Sequence, residues 1–158
     1  MDTTHIWDRD AVQSIALSLK DQPGALMIIL RRVQDTLGWV PADSVPLIAK
    51  ALNLSRAEVH GVVSFYHDFR HAPPGKNIIK VCRAESCQAL GAVALAEHIK
   101  QRLNCNFGQT SADGAVTLDA VYCFGNCACS PAVMINNKLL GRVTPNRFDE
   151  AFAEAANE

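Results

Sequence analysis

Asn77-Ile78-Ile79-Lys80-Val81-Cys82-Arg83-Ala84-Glu85-Ser86-Cys87 decides how the chain is read. Asn77 to Val81 is short and β-branched, the pattern of a buried strand. It delivers Cys82 to the carboxyl end of that strand, where open α/β folds place their sites. Cys82 and Cys87 form a Cys-x4-Cys pair. After 35 intervening residues comes Tyr122-Cys123-Phe124-Gly125-Asn126-Cys127, a Cys-x3-Cys pair. Two close pairs on separate loops are how a chain assembles a four-thiolate site.

Downstream of Cys82 the pattern alternates. A helix is expected from about Gln88 to Leu103, with Ala89, Val93, Ala96 and Leu103 on its apolar face and Leu90, Leu95 and Ile99 widening it. Cys87 opens this helix, and the positive end of the helix dipole there favours thiolate. Asn104 to Gly114 reads as a loop. Val116 to Val121 is a second strand, parallel to the first because a strand-helix-strand crossover is right-handed. Ala132 to Ile135 and Lys138 to Val143 form a hairpin turning at Asn136-Asn137, since Asn tolerates positive φ. Thr144-Pro145 starts a closing helix with Phe148, Ala151, Phe152 and Ala155 as its buried stripe. That order is thioredoxin-like, without the Cys-x-x-Cys redox motif.

Upstream, Ala72-Pro73-Pro74-Gly75-Lys76 is the best linker. It separates an expected N-terminal helical domain, residues 1–73, from an α/β domain, residues 76–158. Four helices are expected in the first. Asp8 to Leu19 ends at Asp21-Gln22-Pro23-Gly24. Ala25 to Leu37 is capped by Gly38. A third runs from Pro41 to Leu52, and a fourth starts at Ser55, whose partner Glu58 makes a capping box. Phe65, Tyr66 and Phe69 read as core, with partner surface as the alternative. His67 and His71 have i, i+4 spacing, but Pro73 and Pro74 argue against a helical metal site there. His60, His67 and His71 read as exposed or helix-end side chains.

With 158 residues, 49% of them hydrophobic, the chain can bury a core. A formal net charge of −1 and thinly spread Lys and Arg point away from nucleic acid and anionic membranes. The polar N-terminus lacks signal-peptide features, and no apolar run is long enough to span a bilayer. A soluble cytoplasmic protein is expected, so its six cysteines are expected to be metal ligands or buried thiols rather than disulfides. Soft thiolates select zinc or an iron–sulfur cluster. Structural zinc favours tight Cys-x2-Cys pairs. The wider pairs here, with small residues Ala84, Ser86, Ala89, Gly91, Gly125, Ala128 and Ser130 around them, favour one 2Fe-2S cluster. A zinc-stabilised adaptor and a thioredoxin-like dithiol enzyme stay open as alternatives. Cys105 reads as an ordinary, partly buried thiol. Cys129 is a possible substitute ligand, disfavoured by its closeness to Cys127.

Cys82-x4-Cys87 with Gly91, then Cys123-Phe124-Gly125-Asn126-Cys127, then Ser130-Pro131-Ala132-Val133-Met134-Ile135-Asn136, resembles the thioredoxin-like 2Fe-2S subunit of respiratory complex I. Val33 to Pro41 and Gly61 to Tyr66 resemble its helical domain. The resemblance implies Cys82, Cys87, Cys123 and Cys127 as the four cluster ligands, and no ligand at Cys105 or Cys129. Relatives also serve NAD-reducing hydrogenase diaphorases and cytosolic NAD-dependent formate dehydrogenases. Cys82 to Ala89 and Phe65 to Arg70 look most like the small gamma subunit of the molybdenum formate dehydrogenases. The implied role is a non-catalytic electron-transfer subunit, with no catalytic residue of its own. The implied partners are a beta-type subunit binding FMN, NAD and a 4Fe-4S cluster, and a larger subunit holding the molybdenum cofactor and oxidising formate. The chain has no Gly-x-Gly-x-x-Gly and no P-loop, in keeping with a dinucleotide and flavin bound elsewhere.

Overall fold

The computed structural model describes residues 6–156. Met1–His5, part of the stretch read as a polar start without signal features, lie outside the described residues, as do Asn157 and Glu158. The chain divides between Pro73 and Pro74 into two compact units.

The first unit is helical. Helix α1, Arg9–Leu19, starts where the Asp8 carboxylate accepts the Ala11 N–H at 2.9 Å. Helix α2, Ala25–Leu37, ends on Gly38, whose φ of 84° is the left-handed conformation a C-terminal cap requires. The expected third helix is divided. A 3-10 turn, Ala42–Ser44, precedes α3, Val45–Leu52, because Pro46 in the first turn has no N–H and Ser44 Oγ bonds back to the Pro41 carbonyl at 2.6 Å. Helix α4, Arg56–Phe65, carries the full Ser55–Glu58 capping box. Val12, Ala16, Ile29, Leu30, Val33, Ile48 and Val59 meet in the core. Gln34 ties the chain after α4 to α2: its Nε2 donates to the Asp68 carbonyl at 2.8 Å and its Oε1 accepts the Arg70 N–H at 2.7 Å.

The aromatic run departs from its core reading. Phe69 is buried, but Phe65 is 72% and Tyr66 45% exposed. The inward face of α4 runs through Val59 and Val63, and Phe65 lies two residues further round the helix, on the other side. His60, His67 and His71 are exposed.

The second unit is a five-stranded sheet ordered β2-β3-β1-β4-β5, where β1 is Asn77–Cys82, β2 Gln109–Thr110, β3 Val116–Val121, β4 Val133–Ile135 and β5 Lys138–Leu140. Strands β1 and β3 are parallel, and the hairpin β4–β5 joins β1 antiparallel. Asn136 takes the positive φ of the turn, 52°. Strand β2 lies inside the expected 104–114 loop and pairs antiparallel with β3. Two polar, exposed residues give no alternation to read.

The expected 88–103 helix is two helices: α5, Glu85–Ala89, and α6, Ala92–Leu103. Gly91, at φ 94°, separates them. That break rotates the following turns, so the buried face is Ala92, Leu95, Ala96, Ile99 and Leu103, while Ala89, Leu90 and Val93 face solvent. Helix α7, Pro145–Ala156, starts at Thr144, whose Oγ1 accepts the Arg147 N–H at 3.3 Å. Phe148 is fully buried against Ile79, Val81, Leu118, Val133 and Ile135 in the second core. Ala151, Phe152 and Ala155 pack against it, partly buried. Among the described residues no helix is long and apolar enough to cross a membrane.

Candidate metal centre

Parallel pairing of β1 and β3 brings both cysteine loops to one end of the sheet. Cys82 is the last residue of β1 and stands opposite Val121, the last of β3. Cys123 follows two residues later. The backbone then turns sharply: Cys123 has φ 112° and Gly125 φ 79°. A non-glycine residue there is strained, which is a mark of functional loops. Gly125 donates its N–H to Cys123 Sγ at 3.2 Å. Cys123 Sγ and Cys127 Sγ lie 3.5 Å apart.

The first pair is buried and the second exposed. Cys82 and Cys87 sit in a small apolar cluster with Ala92 and Ala132, flanked by Ala84 and Phe124. Burial pushes the Cys82 thiol up, and its hydrogen bond with Cys87 adds to this, against N–H groups of Ala84 and Phe124 that favour its thiolate. Burial also pushes Cys87 up, but the Ser130 hydroxyl, the Cys82 thiol and the Ala132 N–H together outweigh it, so Cys87 lies below the ordinary thiol value. These hydrogen bonds favour thiolate at Cys87, the direction expected from the sequence. Cys87 lies within the five-residue α5, and hydrogen bonds supply the stabilisation. Cys127 is pushed up, chiefly by its hydrogen bond with Cys123, then by that neighbour's charge, and further by Cys87 and Cys82 across the site. Cys87 and Cys82 thus lie close enough to Cys127 to act on its charge.

The donor set fits a 2Fe-2S cluster. All four thiols are free of disulfides. The sulfurs stand as two pairs, each within hydrogen-bond reach, which suits two irons taking a pair each. N–H groups of Ala84, Phe124, Gly125 and Ala132 point at three of the sulfurs and can balance the negative charge of a thiolate-ligated cluster. Among the described residues no group of three or more His, Cys, Asp or Glu side chains gathers tightly round a single metal-ion position.

Cys105 and Cys129 stand apart in different ways. Cys105 is buried in the second core, its thiol donating to the Gln109 carbonyl at 3.1 Å. Cys129 ends the 3-10 turn Cys127–Cys129, and its carbonyl accepts the Arg142 N–H at 2.6 Å. Sequence reasoning missed the side-chain hydroxyls between the loops. Ser130 Oγ is 3.3 Å from Cys87 Sγ and 3.0 Å from Ser86 Oγ. Both serines stand out in the sequence only as small residues near the cysteines, which gives neither of them a partner.

Comparison with known proteins gives the family of the chain. The family model for thioredoxin-like [2Fe-2S] ferredoxin matches residues 12–156. The chain is 35% identical over 146 residues to the NADP-reducing hydrogenase subunit HndA of Solidesulfovibrio fructosivorans, covering 92% of this chain and 85% of that one. It is 34% identical over 139 residues to a subunit of the NADH-quinone oxidoreductase of Pseudomonas aeruginosa, covering 88% and 84%. Among solved structures, an NAD+-reducing [NiFe]-hydrogenase in the H2-reduced state superposes with a TM-score of 0.72 at 24% identity, over 84% of this chain and 22% of that longer chain. That last likeness is one of fold. By the match of its sequence to this family model over residues 12–156, the chain belongs to the thioredoxin-like [2Fe-2S] ferredoxin family.

Proposed function

We propose that this chain is the 2Fe-2S electron-transfer subunit of a cytoplasmic, NAD-linked oxidoreductase complex, with Cys82, Cys87, Cys123 and Cys127 as the cluster ligands. The observation that carries the reading is the asymmetry of the two pairs. Cys82 and Cys87 are buried, Cys123 and Cys127 exposed. When bound, a 2Fe-2S cluster takes up and releases one electron at a time, which a hydride donor requires a flavin to supply. The buried pair anchors against Ala92 and Ala132, and the exposed pair leaves one edge open toward a partner. The backbone N–H groups around Cys82, Cys87 and Cys123 hold the sulfurs' charge as electrons pass. Names of the relatives, a hydrogenase subunit and a quinone oxidoreductase subunit, support membership of such a complex.

The specific enzyme proposed is a molybdenum-containing NAD-dependent formate dehydrogenase, on the resemblance of Cys82 to Ala89 and Phe65 to Arg70 to its gamma subunit. The partners are then a flavin subunit binding FMN, NAD and a 4Fe-4S cluster, and a molybdenum subunit. The relatives' names favour, as the second reading, the corresponding subunit of a hydrogenase diaphorase or of complex I. The helical domain is proposed as docking surface, on which Phe65 and Tyr66 are exposed.

Affinity purification of the native complex separates these readings. A flavin subunit together with a molybdenum subunit and formate-dependent NAD reduction supports the first. Nickel and hydrogen-dependent reduction, or membrane subunits, supports the second. A chain that isolates alone with zinc and no iron overturns both.

A further inference from the structure

Two hydroxyls lie between the cysteine loops. Ser86, beside Cys87 on α5, is 3.2 Å from the Cys127 carbonyl and 3.0 Å from Ser130 Oγ. Ser130 is buried, 3.0 Å from that same carbonyl and 3.3 Å from Cys87 Sγ. Each hydroxyl has one proton. Both reach the Cys127 carbonyl, and Ser130 also reaches the Cys87 sulfur.

Proton counting then depends on the state of Cys87. A free Cys87 thiol brings its own proton and can donate to Ser130 Oγ, which passes its proton to the Cys127 carbonyl. A metal-ligating Cys87 is a thiolate and only accepts. Ser86 then serves the Cys127 carbonyl, and the Ser130 proton turns to Cys87 Sγ. Both protons and both acceptors are used, and no buried hydroxyl is left without a partner.

We propose that Ser130 is a positioning residue that sets the cluster's reduction potential by donating its hydroxyl proton to the Cys87 sulfur, and that Ser86 frees it to do so by serving the Cys127 carbonyl. The added electron increases the negative charge on the ligand sulfurs, and a hydrogen bond to one of them stabilises the reduced state more than the oxidised. Because Ser86 and Cys87 belong to α5, and Cys127 and Ser130 to the segment after β3, the same bonds hold the pairs in register. The proposal rests on Cys87 being a ligand.

The test compares cluster-loaded wild type with S130A, S130T and S86A by redox titration at fixed pH, and records the iron–cysteine stretching bands in H2O and D2O. S130A is expected to shift the one-electron equilibrium about tenfold toward the oxidised state, about 59 mV more negative, and to lose the deuterium sensitivity of one stretching band. S86A is expected to shift the same way by less, since Ser130 is then drawn back to the Cys127 carbonyl. S130T, which keeps the hydroxyl, restores the wild-type midpoint. A wild-type midpoint in S130A overturns the proposal. If S130A assembles no cluster, S86A decides: a wild-type midpoint there overturns it. C87S keeps the two failures apart. Retention of the four-thiolate spectrum in C87S removes the ligand assignment, whatever the serine variants do.

Discussion

Cys82 stands opposite Val121 on the last rung of the parallel ladder between β1 and β3. The Arg83 N–H donates to the Val121 carbonyl at 2.7 Å, and the Cys82 N–H to the Ala132 carbonyl at 3.0 Å. Cys82 is thus fixed on both sides by neighbouring strands, and the loop carrying Cys123 starts beside it. A parallel pair delivers both chain exits to the same edge, which no antiparallel arrangement of these two strands would do.

Single Cys→Ser variants of Cys82, Cys87, Cys123 and Cys127 are expected to lose the cluster or to bind it so weakly that iron and visible absorption fall well below wild type, because thiolate ligation holds it. C105S and C129S are expected to keep iron content and spectrum. The measurement is iron and sulfide per chain with the ultraviolet–visible and reduced EPR spectra after anaerobic loading. A normal spectrum in any of the first four, or a lost one in C105S, would mean a different ligand set.

Much of this site is legible in the amino-acid sequence, and the reasons are local. The Asn77–Cys82 strand is β-branched, the Val116–Val121 strand follows a crossover, and Asn136 marks a tight hairpin. Ser55 with Glu58 and Gly38 mark helix ends by chemistry that acts within four residues. What the sequence hides depends on distance or on a single dihedral. A lone glycine within a helical pattern is compatible with continuation, so Gly91 conceals the break that rotates α6 and exposes Leu90 and Val93. Phe65 and Tyr66 look like core by composition, but Val59 and Val63 occupy the inward face of α4. Ser86 and Ser130 are 44 residues apart, and only the assembled loops bring their hydroxyls together.

Cys105 supplies a pH dependence of the second unit. Burial raises its thiol above the ordinary value of 9.0, and Asp119 adds to this, against an N–H of Leu118. An acid whose folded value is raised keeps its proton in the folded state after the unfolded chain has lost its own. Stability from this group is therefore complete below pH 9 and is lost as pH rises through 9 toward the folded value. Urea midpoints of the metal-free protein from pH 8 to 10.5 should fall more steeply for wild type than for C105S. Equal slopes would show that Cys105 is not held protonated by the fold.

The capping box of α4 acts at the other end of the scale. Ser55 N–H and Oγ both lie 2.8 Å from Glu58 Oε2, and the Glu58 N–H donates to Ser55 Oγ at 3.2 Å. The backbone N–H of Ser55, then its hydroxyl, hold the Glu58 carboxyl below the ordinary 4.5. A depressed folded value gives stability that is present above the unfolded value and is lost as pH falls through 4.5 toward the folded one. S55A is expected to cost about 1 kcal/mol at neutral pH. E58Q is expected to flatten the acid limb of the thermal midpoint between pH 5 and 3 relative to wild type. An unchanged acid limb in E58Q would assign that loss of stability to other carboxylates.

Gly141 tests how tightly the second cysteine loop is held. A Cβ added there would lie 2.7 Å from Cys129 Cβ, 2.9 Å from the Cys129 carbonyl oxygen and 3.0 Å from Asn126 Nδ2. The first two are fixed to the backbone and cannot swing aside. The same carbonyl receives the Arg142 N–H at 2.6 Å, so the Asn126 to Ser130 loop is clamped to the strand end that Gly141 follows. G141A must therefore push this loop, and with it Cys127, away from the hairpin. The expected result is a loss of about 1–3 kcal/mol in the metal-free protein, the usual range for overpacking, with faster release of iron to a chelator from the loaded protein. G61A is the control, since a Cβ at Gly61 meets nothing within 4 Å. Iron release at the wild-type rate in G141A would show that the loop can yield without disturbing Cys127.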